Sequence, residues 1–138
     1  MRVTLILLVM IFLHIFADYN LQGILTSMKQ KAWWKEQSTE LDKSKYKNDY
    51  KAALLCHAFQ WSFVVTIPFF VTVWVKQTGI TYIYLSILFV MALWHYVIDD
   101  LKANEKVINL CVDQLLHIVQ IVLACIVWDY FCGWWWIV

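Results

Sequence analysis

Residues that break helices are scarce in this sequence, and so is charge. One proline and three glycines are spread over 138 residues, and charged side chains make up 15% of the chain. The net charge is only +1, which offers no basic footprint for nucleic acid. None of the four cysteines (Cys56, Cys111, Cys125, Cys132) stands at CxxC spacing to another, so neither a zinc ribbon nor a disulfide framework is indicated. They read as packing residues. The sequence also lacks HExxH, GxSxG and the phosphate-binding P-loop, so it matches no soluble-hydrolase pattern.

What fills the chain instead is apolar. Hydrophobic residues make up 62% of it, against about half in an ordinary soluble domain. Four stretches reach the roughly 20 residues of helix that a bilayer requires: Val3–Gly23, Ala52–Val75, Ile80–Leu101 and Val107–Trp128. The expected fold is therefore all-α, a single domain over 1–138 built as an integral membrane four-helix bundle. Gly23, Gly79 and Gly133 fall at segment ends, where helix breaking is tolerated. Pro68 falls inside the second segment and should kink it, because it removes a backbone hydrogen bond. Arg2 before an apolar run imitates a secretory signal. Only Ile15 and Ala17 suit a small-residue cleavage pattern, so the segment is read as a retained span.

Basic residues predict the orientation. The connection 24–51 carries Lys29, Lys31, Lys35, Lys43, Lys45, Lys47 and Lys51, and the connection after segment three carries Lys102 and Lys106. Only Arg2 and Lys76 fall on the other side. Both lysine-bearing connections are therefore expected in the cytoplasm and both termini outside. Trp33 and Trp34 should anchor the inner interface, and Trp74 and Trp134–Trp136 the outer one. The long connection also holds Glu36, Glu40, Asp42 and Asp49. It reads as a solvated, partly helical loop, or as a basic collar for anionic lipid or a phosphate-bearing substrate.

All four histidines lie within apolar segments: His14, His57, His95 and His117. Asp18, Asp99 and Asp113 accompany them, and intramembrane ionisable groups are functional candidates by default. At 1.5 Å of rise per residue, His14 lies roughly 13 Å below the cytoplasmic helix ends, Asp18 roughly 8 Å and His57 roughly 9 Å. On the same count His95 lies roughly 10 Å deep, Asp99 roughly 5 Å, Asp113 roughly 12 Å and His117 roughly 18 Å. Seven residues on four segments thus share one slab of the cytoplasmic half. A weak repeat runs through them. HxxxD occurs as His14/Asp18 and His95/Asp99, and HxxQ as His57/Gln60 and His117/Gln120, which suits two repeated helical hairpins.

A histidine and a carboxylate four residues apart face the same way on a helix and can hold one ion between them. His14, Asp18, His57, His95, Asp99, Asp113 and His117 are accordingly candidate ligands of a divalent transition metal, zinc first and iron or manganese next. Gln22, Asp100, Lys102 and Gln114 are candidates to orient those ligands or to contact substrate. Two other readings stand beside this one: polar side chains that only hold helices together, and a proton relay without metal.

These residues also carry a resemblance. His14, Ala17, Asp18 and Gln22 come first, followed by the "LLxHA" of Leu54, Leu55, His57 and Ala58. The H-x3-D-x2-K of His95, Asp99 and Lys102 is next, and the DQ-x2-H of Asp113, Gln114 and His117 closes the set. Together they resemble a family of small bacterial and phage polytopic membrane proteins, domain of unknown function 3307, over nearly the whole chain. The resemblance implies a multi-pass protein of the bacterial inner (cytoplasmic) membrane. More loosely, the chain is similar to membrane-bound metal-dependent hydrolases. That similarity implies a bound metal acting on a lipid-linked or phosphate-bearing substrate, with Asp99, Asp113 and His117 as candidate catalytic groups. The alternatives are an ion- or proton-binding transporter or channel subunit, for which four helices would have to form a homo-oligomer, and an accessory membrane protein with a structural polar core.

Overall fold

Long apolar runs with few breakers should coil into helices, because in lipid each backbone group must find its partner within its own segment. In the computed structural model, which describes residues 2–37, 45–76 and 80–132, every regular element is helical. They are α1 (Arg2–Phe16), a π-helical turn (Ala17–Leu21), α2 (Leu25–Met28), α3 (Lys31–Gln37), α4 (Asp49–Val65), α5 (Ile67–Lys76), α6 (Thr81–Ala103) and α7 (Leu110–Cys132). Gly79, Gly133, Trp134–Trp136 and Glu40, Asp42 and Lys43 of the long connection lie outside the described residues.

Three of these helical stretches are long and apolar enough to cross a membrane: Val3–Leu21, Thr81–Ala103 and Leu110–Cys132. The pair Asp49–Val65 and Ile67–Val75 passes the same test only jointly, and it is bent by 57°. Pro68 supplies the reason. Its ring nitrogen has no hydrogen for the Val64 carbonyl, so α4 stops at Val65. The break falls on Thr66, whose backbone N–H and hydroxyl both donate to the Ser62 carbonyl, at 3.0 and 2.7 Å.

Packing runs in a closed order, with α1 against α4 and α7, and α6 against α4 and α7. At the end away from the lysines, the space between helices is filled by Met10, Val65, Phe69, Tyr84, Ile121 and Trp128. Phe69 and Trp128 stack there with ring centroids 4.5 Å apart. Cys125 and Cys132 are buried in this region, and the Cys125 thiol donates to Met10 Sδ at 3.4 Å. These two cysteines therefore serve packing.

Burial is inverted relative to a water-soluble protein. Leu5, Phe12 and Phe89 are 64%, 65% and 64% exposed, while His14, His95, Asp113 and His117 are buried. Apolar-out, polar-in is the arrangement a lipid solvent requires.

The two lysine-bearing connections meet at one end. Asn104, just past α6, is the clamp. Its Nδ2 donates to Asp100 Oδ1 (2.7 Å) and to the Lys29 carbonyl (3.0 Å), and its Oδ1 accepts from the Lys31 backbone (2.7 Å). The Glu105 carboxylate receives the Lys31 ammonium at 2.5 Å and holds its pKa above the ordinary lysine range.

Candidate metal centre

Each long helix brings polar side chains to the same place. On α1, His14 stands one turn before Asp18, which lies in the π turn. The wider i→i+5 winding of that turn keeps Gln22 beside Asp18. Gln22 Nε2 donates to the Asp18 carbonyl at 2.6 Å and to Asp18 Oδ1 at 3.4 Å. Gly23 then takes a φ of +50°, which turns the chain out of the helix.

His14 is held by both ring nitrogens. Trp61 can only donate, so its Nε1–H at 3.1 Å makes His14 Nδ1 an acceptor. The proton therefore sits on Nε2 and is donated to Gln114 Oε1, also at 3.1 Å. Gln114 passes the polarity on, donating through Nε2 to Asp18 Oδ2 (3.3 Å) and Asp113 Oδ2 (3.0 Å). This chain fixes one tautomer and one amide orientation. It also leaves His14 no free lone pair for an ion.

The remaining histidines are arranged differently. His95 of α6 packs on both the Trp61 ring (centroids 4.1 Å apart) and the His117 ring (4.3 Å), which are themselves 5.4 Å apart. Its Nε2 faces His57 Nε2 of α4 at 3.1 Å, so at most one of the two carries a hydrogen. Asp99, one turn after His95, divides its oxygens. Oδ1 faces His117 Nε2 (3.3 Å) and His95 Nε2 (3.7 Å), while Oδ2 faces His57 Nε2 (3.3 Å) and receives the Lys29 ammonium at 2.6 Å. His117 Nε2 also lies 3.5 Å from Asp113 Oδ1, and Lys102 donates to Asp113 Oδ2 at 2.6 Å.

Three carboxylates (Asp18, Asp99, Asp113) thus face two ammoniums (Lys29, Lys102). Asp18 receives only amide donors, with His14 Nδ1 at 3.7 Å and His57 Nε2 at 4.0 Å. One negative charge is left over in a low-dielectric place, and it calls for a cation or for a proton on a histidine.

The donors fit a metal in two overlapping groups: Asp18, His57 and His95, and His95, Asp99 and His117. Within each, the ligand atoms lie within 4.8 Å of one another. Bonds of about 2.0–2.1 Å in a tetrahedron place neighbouring donors about 3.3–3.4 Å apart. The separations of 3.1, 3.3 and 3.7 Å around His95 and Asp99 bracket that edge. His117 Nε2 is buried between two carboxylate oxygens, Asp99 Oδ1 at 3.3 Å and Asp113 Oδ1 at 3.5 Å, a place that suits either an ion or a proton. The Nδ1 atoms of His95 and His117 are also buried and unpartnered. A ligating imidazole usually anchors its second nitrogen; here ring stacking holds the planes instead.

All seven candidate ligands lie in this one cluster, although His14 and Asp113 stand outside both groups. Of the residues expected to support them, Gln22 contacts Asp18, Gln114 bridges Asp18 and Asp113, and Lys102 pairs with Asp113. Asp100 turns to Asn104 and serves the connection instead. Trp61, Lys29 and Asn104 were not anticipated. The i, i+4 relation of Trp61 to His57 and of Asn104 to Asp100 was available as a signal. Nothing marked Lys29 among its neighbouring lysines.

The cluster opens at the lysine-bearing end into a cavity of about 510 Å³ lined by Asp18, Gln22, Lys29, Asp99, Lys102 and Gln114, among others. No protein-family model, curated protein or solved structure matches the chain.

Proposed function

We propose that this chain is a four-span membrane protein that binds one divalent transition metal, zinc first, through His95, Asp99 and His117, and hydrolyses a phosphate-bearing, lipid-linked substrate. His57 and Asp18 complete or flank the site. The observation that carries the reading is the convergence of His95 Nε2, His117 Nε2 and Asp99 Oδ1 below an opening flanked by Lys29 and Lys102. On this reading the bent pair α4–α5 is a single broken span. The resemblance to domain of unknown function 3307 adds the setting, a bacterial inner membrane.

A bound divalent ion supplies Lewis-acid polarisation of a phosphoryl oxygen and a more acidic water. The chain supplies the rest. Lys29 and Lys102 present ammoniums at the mouth to an anionic group, each now resting on a carboxylate that the anion would displace it from. Asp113 is positioned as general base, because its Oδ1 is buried without a hydrogen-bond partner 3.5 Å from His117. The His14–Gln114 chain positions Asp18 and Asp113.

A proton path without metal is the competing reading, favoured by the 3.1 Å contact between His57 and His95, which a shared proton also explains. Elemental analysis of detergent-purified protein separates the two. The metal reading expects close to one equivalent in wild type, lost in His95→Ala and Asp99→Ala. It also expects the metal-loaded protein to release phosphate or a phosphorylated headgroup from anionic phospholipid vesicles, and His117→Ala to abolish that release. Wild type carrying less than about a tenth of an equivalent, when purified without chelator, overturns the metal reading, because such sites hold their ion tightly.

A further inference from the structure

We infer that a second binding site, for the phosphate headgroup of an anionic phospholipid, lies between α3 and the start of α4. A cavity of about 500 Å³ opens there, lined by Lys31, Lys35, Lys47 and Lys51 together with Trp34, Tyr46 and Tyr50. No carboxylate is among the described residues that line it, and it shares no lining residue with the cavity over the metal centre.

The walls are ordered by aromatic rings. Trp34 and Tyr46 stack at 6.3 Å, and the Trp34 indole donates to the Met28 carbonyl at 2.7 Å. Tyr50 is buried, and the ammoniums of Lys31 and Lys51 lie 5.1 and 5.9 Å from its ring centroid. Lys31 is already paired with Glu105, so the charge available to a ligand comes from Lys35, Lys47 and Lys51, all exposed. Ammoniums with no ion-pair partner among the described residues, set around an aromatic-walled hollow, suit a phosphodiester, and the volume is that of a ligand pocket.

Position selects lipid as the source. Tyr50 and Lys51 stand in the first turn of α4, and Lys31 is tied to Glu105 just beyond the end of α6. The pocket therefore sits where the apolar helices give way to polar chain, which in a bilayer is the headgroup level. A soluble anion meets the same lysines without the acyl chains that would lie along the exposed apolar helix faces beside them. The inference stands whether or not the centre between the helices binds metal.

The test is native mass spectrometry of the full chain in detergent, titrated with phosphatidylglycerol or with phosphatidylcholine. Wild type should retain one phosphatidylglycerol beyond any held at the Lys29/Lys102 mouth, at concentrations where phosphatidylcholine is not retained, and that adduct is the one the variants should lose. Each lysine near an anionic surface contributes roughly fivefold in affinity, so the combined variant Lys35→Gln, Lys47→Gln, Lys51→Gln should lose roughly a hundredfold. The single variant Lys47→Gln should lose about fivefold, which guards against loss of fold in the triple variant. Lys106→Gln, which lines neither cavity, should bind as wild type. Equal retention of the two lipids, or undiminished binding by both lysine variants, overturns the proposal. Displacement of the lipid by an equal concentration of inorganic phosphate also overturns it, because the occupant is then a free anion.

Discussion

At the scale of single residues, the polar set was legible and its pairing was not. Depth along each helix follows from counting, so the gathering of His14, Asp18, His57, His95, Asp99, Asp113 and His117 could be read from spacing alone. Which nitrogen meets which oxygen depends on rotamers and on neighbours from other helices, and counting carries neither. Trp61 shows the limit. In the sequence it is one apolar residue in an apolar run; in the structure its indole proton fixes the tautomer of His14. Replacing Trp61 with Phe keeps a ring on His95 but strands His14 Nδ1, a buried acceptor. The expected cost is roughly 1–3 kcal/mol, read by chemical denaturation in detergent, with the metal content unchanged. Loss of metal in that variant would show that the His14 chain governs the ion as well. Asp99→Asn separates metal from glue. Asparagine can still hydrogen-bond between helices, so a structural cluster tolerates it. A metal centre loses its charged ligand and, with it, the ion, which elemental analysis detects.

At the scale of elements, apolar runs announce spans but not how a span winds or breaks. The segment read as 3–23 is α-helical only to Phe16 and continues as a π turn to Leu21, because the departure is set by hydrogen bonding rather than by hydropathy. The expected kink at Pro68 appears two residues earlier, at Thr66, which caps α4 by donating to the Ser62 carbonyl. The segment read as 107–128 is helical from Leu110 to Cys132, since Asp129 and Tyr130 lower hydropathy without ending a helix. Two turns make opposite predictions. Gly23 has φ +50°, and a Cβ added there meets nothing within 4 Å, so Gly23→Ala carries only the backbone cost of the left-handed region, about 1–2 kcal/mol. Lys106 already bears that cost at φ +55°, so Lys106→Gly should be neutral or stabilising by up to about 1 kcal/mol. Thermal unfolding of the two variants side by side checks both signs.

At the scale of the whole molecule, two independent patterns carry the membrane reading, one seen in the structure and one in the sequence. One is the inversion of burial, with phenylalanines and leucines outside and histidines and aspartates inside. The other is the charge asymmetry, and here the structure supplies what the sequence lacked. Lys29 reaches Asp99, Lys31 reaches Glu105, and Lys102 and Lys106 flank the same end, so the two basic connections belong to one face of the molecule. If that face were divided between the two sides of a bilayer, these contacts could not form. The positive-inside rule then gives the expected direction: the face carrying the lysines and the mouth of the centre should be cytoplasmic. Impermeant thiol labelling in cells tests this on a background with all four native cysteines replaced. Lys106→Cys should stay unlabelled until the membrane is opened. Tyr82→Cys, at the start of α6 and 81% exposed, should label from outside at once. Labelling of both positions from outside would remove α6 itself from the candidate spans, since both of its ends would then lie on one side of the bilayer. Labelling in the reverse order would keep α6 as a span and turn the His/Asp centre, with its lysine-flanked mouth, toward the outside of the cell.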